Sequence, residues 1–131
     1  AYQGRVACFE AASGRQLWAR ELSSLTGVSL DAGHAYVADE RGSLHALDRS
    51  NGRTLWKQDR LSHRQLSLPV PVGALVAVGD VEGYVHFLAR DTGEFVSRYG
   101  TGGGAVLAAP LALPGALLVQ TEDGALHALS P

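Results

Sequence analysis

A phrase spanning residues 42–56 recurs along this chain and limits what the chain can fold into. Related copies begin at Gly4, Gly83 and Gly124, so successive copies start 38, 41 and 41 residues apart. A period of about 40 residues that contains only short apolar runs and glycine turns is typical of a propeller blade, a four-stranded sheet that cannot bury both faces alone. The repeat therefore predicts an all-β row of packed blades, with function on their loops and outer surfaces.

Alignment of the copies predicts antiparallel strands in the order A, B, C and D within each blade. Residues 1–22 supply strands C and D of an incomplete blade, residues 25–60 and 64–99 form two complete blades, and residues 104–131 form a blade without its D strand, for 13 strands in all. Strands are predicted at 27–31, 34–38, 43–48 and 53–58 in the first complete blade, and at 65–72, 74–78, 84–89 and 94–98 in the second. The chain opens partway through a repeat and without a methionine, so we expect it to be part of a longer protein.

Two kinds of turn support this alignment. The glycines of Ser13-Gly14, Asn51-Gly52 and Thr92-Gly93 supply the positive φ that a tight hairpin between strands C and D requires. Each C strand also follows a turn rich in acidic residues, at 39–42, 80–83 and 121–124. Because the spacing of these acids matches the hairpins and acids commonly begin turns, we interpret them as turn residues rather than as ligands of a metal site.

Three histidines, His45, His86 and His127, occupy one equivalent position in successive copies. Equivalent residues of different blades are usually too far apart to converge at about 2 Å on one zinc ion. Packing or hydrogen bonding is therefore favoured, and metal ligation remains the alternative. His34 and His63 follow neither the repeat nor a ligand spacing, so both are predicted to be surface residues.

Trp18 and Trp56 each stand four residues after a turn glycine, on D strands, and Ser97 takes their place in the next copy. An indole on an outer strand buries a large area, so both tryptophans are predicted to be structural wedges between blades rather than platforms for a ligand. The glycine-rich segment 100–104 lacks the lysine and the following helix of a phosphate-binding loop. It is predicted to be a flexible link between blades.

Composition and motifs argue against several classes of function. The chain has 11 Lys and Arg against 13 Asp and Glu, without a basic stripe, so no nucleic-acid partner is expected. It has neither a Gly-x-Ser-x-Gly elbow nor a His-Glu-x-x-His motif, and its single cysteine, Cys8, lies in an apolar stretch and is predicted to be a buried, inert thiol. No catalytic, metal-binding or cofactor-binding residue is predicted, and the chain is not expected to be an enzyme. Prolines interrupt the longest apolar stretch, 105–119, so no transmembrane helix is predicted.

The phrase Gly-x-Leu-His-Ala-Leu-Asp-x-x-x-Gly-x-x-Leu-Trp at 42–56 resembles the repeat of the quinoprotein-type β-propeller family. Two further segments are the Ser-His-Arg of 62–64 and the Gly-Asp-x-Glu-Gly-Tyr of 79–84. They resemble the C-terminal part of one branch of that family, the scaffold lipoproteins of outer-membrane β-barrel protein assembly. The likeness extends over essentially the whole chain, and it implies a fragment of an eight-bladed ring.

The resemblance also implies a function and partners. A scaffold of this kind is non-catalytic, binds the periplasmic domains of BamA and other subunits of the assembly machinery, and assists the folding and insertion of nascent β-barrel proteins. Its location is the periplasmic face of the Gram-negative outer membrane, through a lipid anchor upstream of this chain. No cofactor is expected. The open edges of the incomplete blades predict self-association by strand pairing.

One loop and the turn near it are predicted to face a partner. The hypothesis is that the loop 60–64 and the following acidic turn form a polar patch that binds a partner. The alternative is that these residues form an ordinary solvated rim. The patch residues are Arg60, His63, Arg64, Asp80, Glu82 and Tyr84. A competing hypothesis is a fragment of a dehydrogenase that uses pyrroloquinoline quinone with calcium. The adjacent cysteine pair of such enzymes is absent from this stretch, because Cys8 is the only cysteine.

Overall fold

A computed structural model of the chain describes residues 4–131, and this part consists of strands, turns and loops. Its thirteen strands are β1 (Val6–Phe9), β2 (Gln16–Arg20), β3 (Val28–Leu30), β4 (His34–Ala38), β5 (Leu44–Asp48), β6 (Thr54–Gln58), β7 (Val70–Val72), β8 (Leu75–Gly79), β9 (Tyr84–Ala89), β10 (Phe95–Gly100), β11 (Leu111–Leu113), β12 (Ala116–Gln120) and β13 (Leu126–Leu129). They form four antiparallel sheets in the orders β1-β2, β3-β4-β5-β6, β7-β8-β9-β10 and β11-β12-β13, which we call blades 1 to 4. The predicted all-β fold class is confirmed. The described part contains no helix with the length and apolarity needed to cross a bilayer.

The hydrophobic core lies between the blades. One cluster joins blade 2 to blade 3 and includes Tyr36, Leu44, Val76 and Leu88. A second cluster joins blade 3 to blade 4 around Phe87. Burial of one large aliphatic side chain contributes about 1.5–3 kcal/mol, so each blade depends on its neighbours for a large part of its stability.

The antiparallel strand order places the connections at two ends of the blades. The turns before β5, β9 and β13 lie at one end, together with the links from one blade to the next, and we call this the link end. Each link is tied to the following blade there, because the backbone N–H groups of Glu40, Val81 and Glu122 donate to the carbonyls of Ser23, Arg64 and Ala105, at 2.9, 3.0 and 2.8 Å. The hairpin turns after β5 and β9 lie at the opposite end.

The two tryptophans pack onto turn glycines of the next blade. The Trp56 indole Nε1 donates to the carbonyl of Arg90 at 2.7 Å, and Trp18 makes the equivalent bond to Arg49 at 2.8 Å. A Cβ atom at Gly93, which has a φ of +75°, would lie 2.3 Å from the Trp56 ring. Glycine is therefore required at this position both by backbone conformation and by close approach.

Three local expectations need correction. Strand β7 begins only at Val70 and is shorter than predicted, because Pro69 has no N–H to donate to a sheet ladder and Leu66 pairs only through an isolated bridge with Asp80. Cys8 is half-buried rather than buried. The link 100–104 is anchored rather than free, because the backbone N–H and the hydroxyl of Thr101 both donate to the carbonyl of Gly83, at 3.0 and 2.7 Å.

Candidate functional site

The turn between β8 and β9 is built around Asp80, whose side chain is fully buried. Its Oδ1 atom accepts hydrogen bonds from the backbone N–H groups of Glu82 and Tyr84, at 2.9 and 3.0 Å. Its Oδ2 atom lies 2.7 Å from His86 Nε2 and 3.1 Å from Arg64 Nη1. Because a carboxylate can only accept, His86 carries a proton on Nε2. We call these three side chains the Asp80–His86–Arg64 cluster.

The electrostatics of this cluster favour a charged aspartate and a neutral histidine. Burial by itself would raise the pKa of Asp80, but the hydrogen bonds from His86, the Tyr84 N–H and Arg64 outweigh burial and hold this pKa below its usual value. Burial also lowers the pKa of His86, and the attraction of Asp80 offsets that effect only in part. The cluster is therefore suited to hold a buried turn in place.

Blade 2 contains the same turn without the arginine. Asp39 Oδ1 accepts from the backbone N–H groups of Arg41 and Ser43, both at 2.9 Å, and Oδ2 lies 2.8 Å from His45 Nε2. The position equivalent to Arg64 is Ser23, whose hydroxyl accepts a hydrogen bond from the Gly4 N–H at 2.8 Å and carries no charge to pair with Asp39. The aspartate and histidine thus recur as one unit, and the guanidinium is added only in blade 3.

Blade 4 keeps the histidine but has Thr121 at the position of the aspartate. Its His127 contacts the Tyr99 hydroxyl instead, with Nδ1 at 3.2 Å. The three equivalent histidines therefore have separate partners in separate blades. Within residues 4–131, no group of three or more His, Cys, Asp or Glu side chains is arranged to hold a metal ion.

The structure brings Arg64, Asp80, Glu82 and Tyr84 together at the link end of blade 3. The loop with Arg60 and His63 lies against the turn of blade 2, where the His63 N–H donates to the Arg41 carbonyl at 3.2 Å. Arg60, His63 and Glu82 are exposed, and Tyr84 is partly exposed. Arg64, with 28% of its side chain exposed, bridges Asp80 and Glu82, whose Oε2 lies 3.4 Å from the guanidinium. His63 has a φ of 67°, which is uncommon for a residue other than glycine and indicates a constrained loop.

The inclusion of Asp80 in this partner-facing patch was wrong. Its carboxylate is fully buried and its hydrogen bonds are used within the chain, so it cannot contact a partner directly. The prediction for His34 was also wrong. This residue is half-buried, its Nδ1 lies 2.9 Å from Asp31 Oδ1, and its ring stacks on Tyr36 at 5.3 Å between centroids.

Sequence reasoning missed Arg98, which belongs to the same surface. Its guanidinium lies over the Tyr84 ring, 4.3 Å from the ring centroid, on the outer strand β10. Phe95 lies on the same strand, with its ring centroid 6.2 Å from that of His86. A position-by-position comparison of the copies could have singled out Arg98 and Phe95, because the equivalent residues in blade 2 are Lys57 and Thr54.

Comparison with known proteins identifies the family to which this chain is similar. The family model described as "Outer membrane protein assembly factor BamB" matches residues 1–58 and 51–131. The protein of that name from Bordetella pertussis is 43% identical over 127 residues, which cover 96% of this chain and 33% of that protein. The chain therefore spans about a third of the length of such relatives.

Solved structures agree with this match and confirm the propeller architecture. The crystal structure of BamB from Moraxella catarrhalis superposes with a TM-score of 0.88 at 32% identity, over 95% of this chain and 37% of that one. The quinohemoprotein alcohol dehydrogenase from Comamonas testosteroni superposes with a TM-score of 0.78, over 98% of this chain and 30% of that one. At 17% identity, the likeness to the dehydrogenase concerns the fold alone.

Proposed function

This chain belongs to the BamB family of outer membrane protein assembly factors, and from that membership we propose that it is part of a scaffold for the assembly of β-barrel proteins in the outer membrane. The observation that carries the proposal is the family match over the whole chain, together with the fold shared with the BamB structure at 32% identity. The dehydrogenase alternative rests on fold alone and has no comparable support.

We infer the finer points from the resemblance of the sequence to this family. The scaffold is non-catalytic, and its partners are the periplasmic domains of BamA, other subunits of the machinery and nascent β-barrel proteins. It acts at the periplasmic face of the outer membrane, held there by a lipid anchor outside this chain. Packed blades suit such a role, because they present loops on a rigid framework.

The surface that we propose for partner binding comprises Arg60, His63, Arg64, Glu82 and Tyr84. Its support is the exposure of Arg60, His63 and Glu82 on a loop and a turn that the hydrogen bond from Arg64 to Asp80 joins. Arginine and tyrosine are also enriched among residues that dominate binding energy at interfaces. A rigid loop loses less entropy on binding than a mobile one, which favours recognition.

The scaffold function is tested by co-purification. The full-length protein with an affinity tag is expected to retain BamA after extraction of the outer membrane in mild detergent. Absence of BamA, combined with dye reduction after addition of pyrroloquinoline quinone and calcium, would contradict the proposal.

The binding surface is tested in the same assay with the double variant Arg60→Ala, His63→Ala. Arg64 is left in place, because its removal would also disturb buried Asp80. We expect BamA retention to fall about tenfold, since two exposed contacts are lost. The matched control is Arg53→Ala, an exposed arginine at the opposite end of blade 2. If the double variant retained as much BamA as Arg53→Ala, this surface would be excluded as the BamA-binding surface.

A further inference from the structure

The outer strand β10 of blade 3 carries Phe95, Val96 and Arg98, which form a partly exposed patch with Tyr84 of the neighbouring strand β9. Arg98 lies over the ring of Tyr84, and Phe95 packs edge-on against buried His86. Phe95 and Val96 are 38% and 58% exposed. Val96 is the extra residue of a β-bulge between β9 and β10, where the sheet register shifts. We call these four residues the outer-strand patch.

Blade 2 provides an internal comparison for this patch. Its outer strand has the same bulge, but the equivalent positions hold Ser43, Thr54, Leu55 and Lys57. Blade 2 forms its four strands with these residues, so the tyrosine, phenylalanine and arginine of blade 3 are not needed for the blade fold. The residues that organise the turn, in contrast, are the same in both blades, namely the aspartate, the histidine and the turn glycine.

The exposure of the patch does not depend on an incomplete sheet. Tyr84, Phe95 and Arg98 lie on the side of blade 3 that faces blade 2, as judged by their pairing with residues on that face, and both blades have four strands. Tyrosine, phenylalanine and arginine are the residue types enriched in the centres of protein interfaces.

Arg98 has unused binding capacity. Within the described residues, no carboxylate oxygen lies within salt-bridge distance of its guanidinium, and Glu82 is already paired with Arg64. Burial lowers the pKa of His86, and the charges of Arg64 and Arg98 lower it further, so both guanidinium groups act on the same region of the blade. The Tyr84 ring orients the Arg98 guanidinium, which reduces the entropy lost when a ligand binds.

We propose that the outer-strand patch binds an extended, carboxylate-bearing segment of a protein partner, with Arg98 pairing with the carboxylate and with Phe95 and Val96 packing against its apolar side chains. This inference rests on the proposed scaffold function, to which it adds a binding site and the chemistry of its ligand. An extended segment fits because Phe95, Val96 and Arg98 lie along one strand, β10. A carboxylate fits because the guanidinium binds it through two parallel hydrogen bonds.

The test measures peptide binding by fluorescence anisotropy with the full-length protein. The probe is a fluorescein-labelled peptide of alternating valine and glutamate, and its neutral counterpart has glutamine in place of glutamate. We expect the acidic peptide to bind at least about tenfold more tightly than the neutral one, because charge-assisted bonds to arginine are lost with glutamine. Added salt is expected to weaken only the acidic peptide.

The variants use residues that blade 2 already accepts. Arg98→Lys and Tyr84→Ser are each expected to weaken the acidic peptide about fivefold or more, because one removes the bidentate donor and the other removes the ring beneath it. The matched control, Lys57→Ala in blade 2, is expected to leave binding within about twofold. Thermal unfolding of each variant verifies that the fold is retained.

Three results would overturn the inference: no binding of the acidic peptide, equal binding of both peptides, or equal losses in Arg98→Lys and Lys57→Ala. The peptide assay contains no BamA, so its failure is separate from failure of the scaffold function. The scaffold function is read from co-purification of BamA with the unaltered protein.

Discussion

Blades 3 and 4 carry a histidine at the same repeat position, yet only blade 3 joins it to a carboxylate. His86 donates to buried Asp80, whereas His127 contacts Tyr99 because Thr121 stands at the aspartate position. Blade 2 resembles blade 3, with His45 bonded to Asp39. The difference shows that the repeated histidine has no fixed role of its own. Its role depends on the residue six positions earlier.

Removal of the Asp80 carboxylate is expected to have the largest effect on the free energy of unfolding. Asp80→Ala leaves the buried His86 ring and two turn N–H groups without their acceptor and leaves Arg64 with Glu82 alone, which we expect to cost about 3–5 kcal/mol in the free energy of unfolding. Thr121→Ala in blade 4 is expected to cost about 1 kcal/mol. Urea unfolding of the full-length protein measures both, and similar losses would contradict the contrast between the blades.

The blade interfaces provide the next test. Trp56 packs on Gly93 between blades 2 and 3, while Ser97 holds the equivalent position in blade 3. Trp56→Ser is expected to destabilise the protein by about 3 kcal/mol, because it removes a large buried side chain and its bond to Arg90. Ser97→Ala serves as the control and is expected to change stability by less than about 0.5 kcal/mol. Urea unfolding that gave equal values for both would show that the indole is not an inter-blade wedge.

The contribution of Arg64 distinguishes blade 3 from blade 2. Arg64→Ala is expected to lower the free energy of unfolding by about 1–2 kcal/mol, since a partly exposed charge bonded to a buried carboxylate is lost. The same change raises the pKa of Asp80 towards its usual value. Ser23→Ala tests the equivalent position in blade 2 through the same unfolding measurement. If Ser23→Ala destabilised the protein as much as Arg64→Ala, the guanidinium would have no special role.

The smallest expected effect is a dependence of stability on pH. The pKa of His86 is lower in the folded protein than the usual 6.5, so the unfolded chain takes up a proton first as the pH falls. Stability should therefore decrease below about pH 6.5, by at most about 1.4 kcal/mol per pH unit from this group. The lowered pKa of Asp80 adds a further loss only below its usual value of 3.8.

Unfolding measured between pH 7 and pH 5 tests this prediction. His86→Gln is expected to flatten the profile in that window, and Ser97→Ala, which removes no titratable group, serves as the control. A profile that His86→Gln does not alter would mean that this histidine does not cause the loss of stability.

Much of the fold was predictable from local patterns. Short apolar strands between glycine turns predict the strand order, and Gly52 and Gly93 have the positive φ expected at the hairpins. The candidate site was less predictable. Asp80 and Glu82 look alike in sequence, but one is buried and the other exposed, because the link carrying Arg64 folds over the turn. Arg98 and Tyr84 are distant in sequence and meet only across paired strands.

The sequence by itself determined the repeat, the all-β class and the family resemblance, because these depend on alternation, turn chemistry and short phrases that act within a few residues. The tertiary structure alone decided which polar residues are buried and which remain free to bind. Packing of the link that carries Arg64 onto blade 3 accompanies the burial of Asp80 and pairs Glu82 with Arg64, while Arg98 has no carboxylate partner among the described residues. Burial of Asp80 and its pairing with Arg64 arise between a link and the next blade, so the alternation pattern within one strand does not record them.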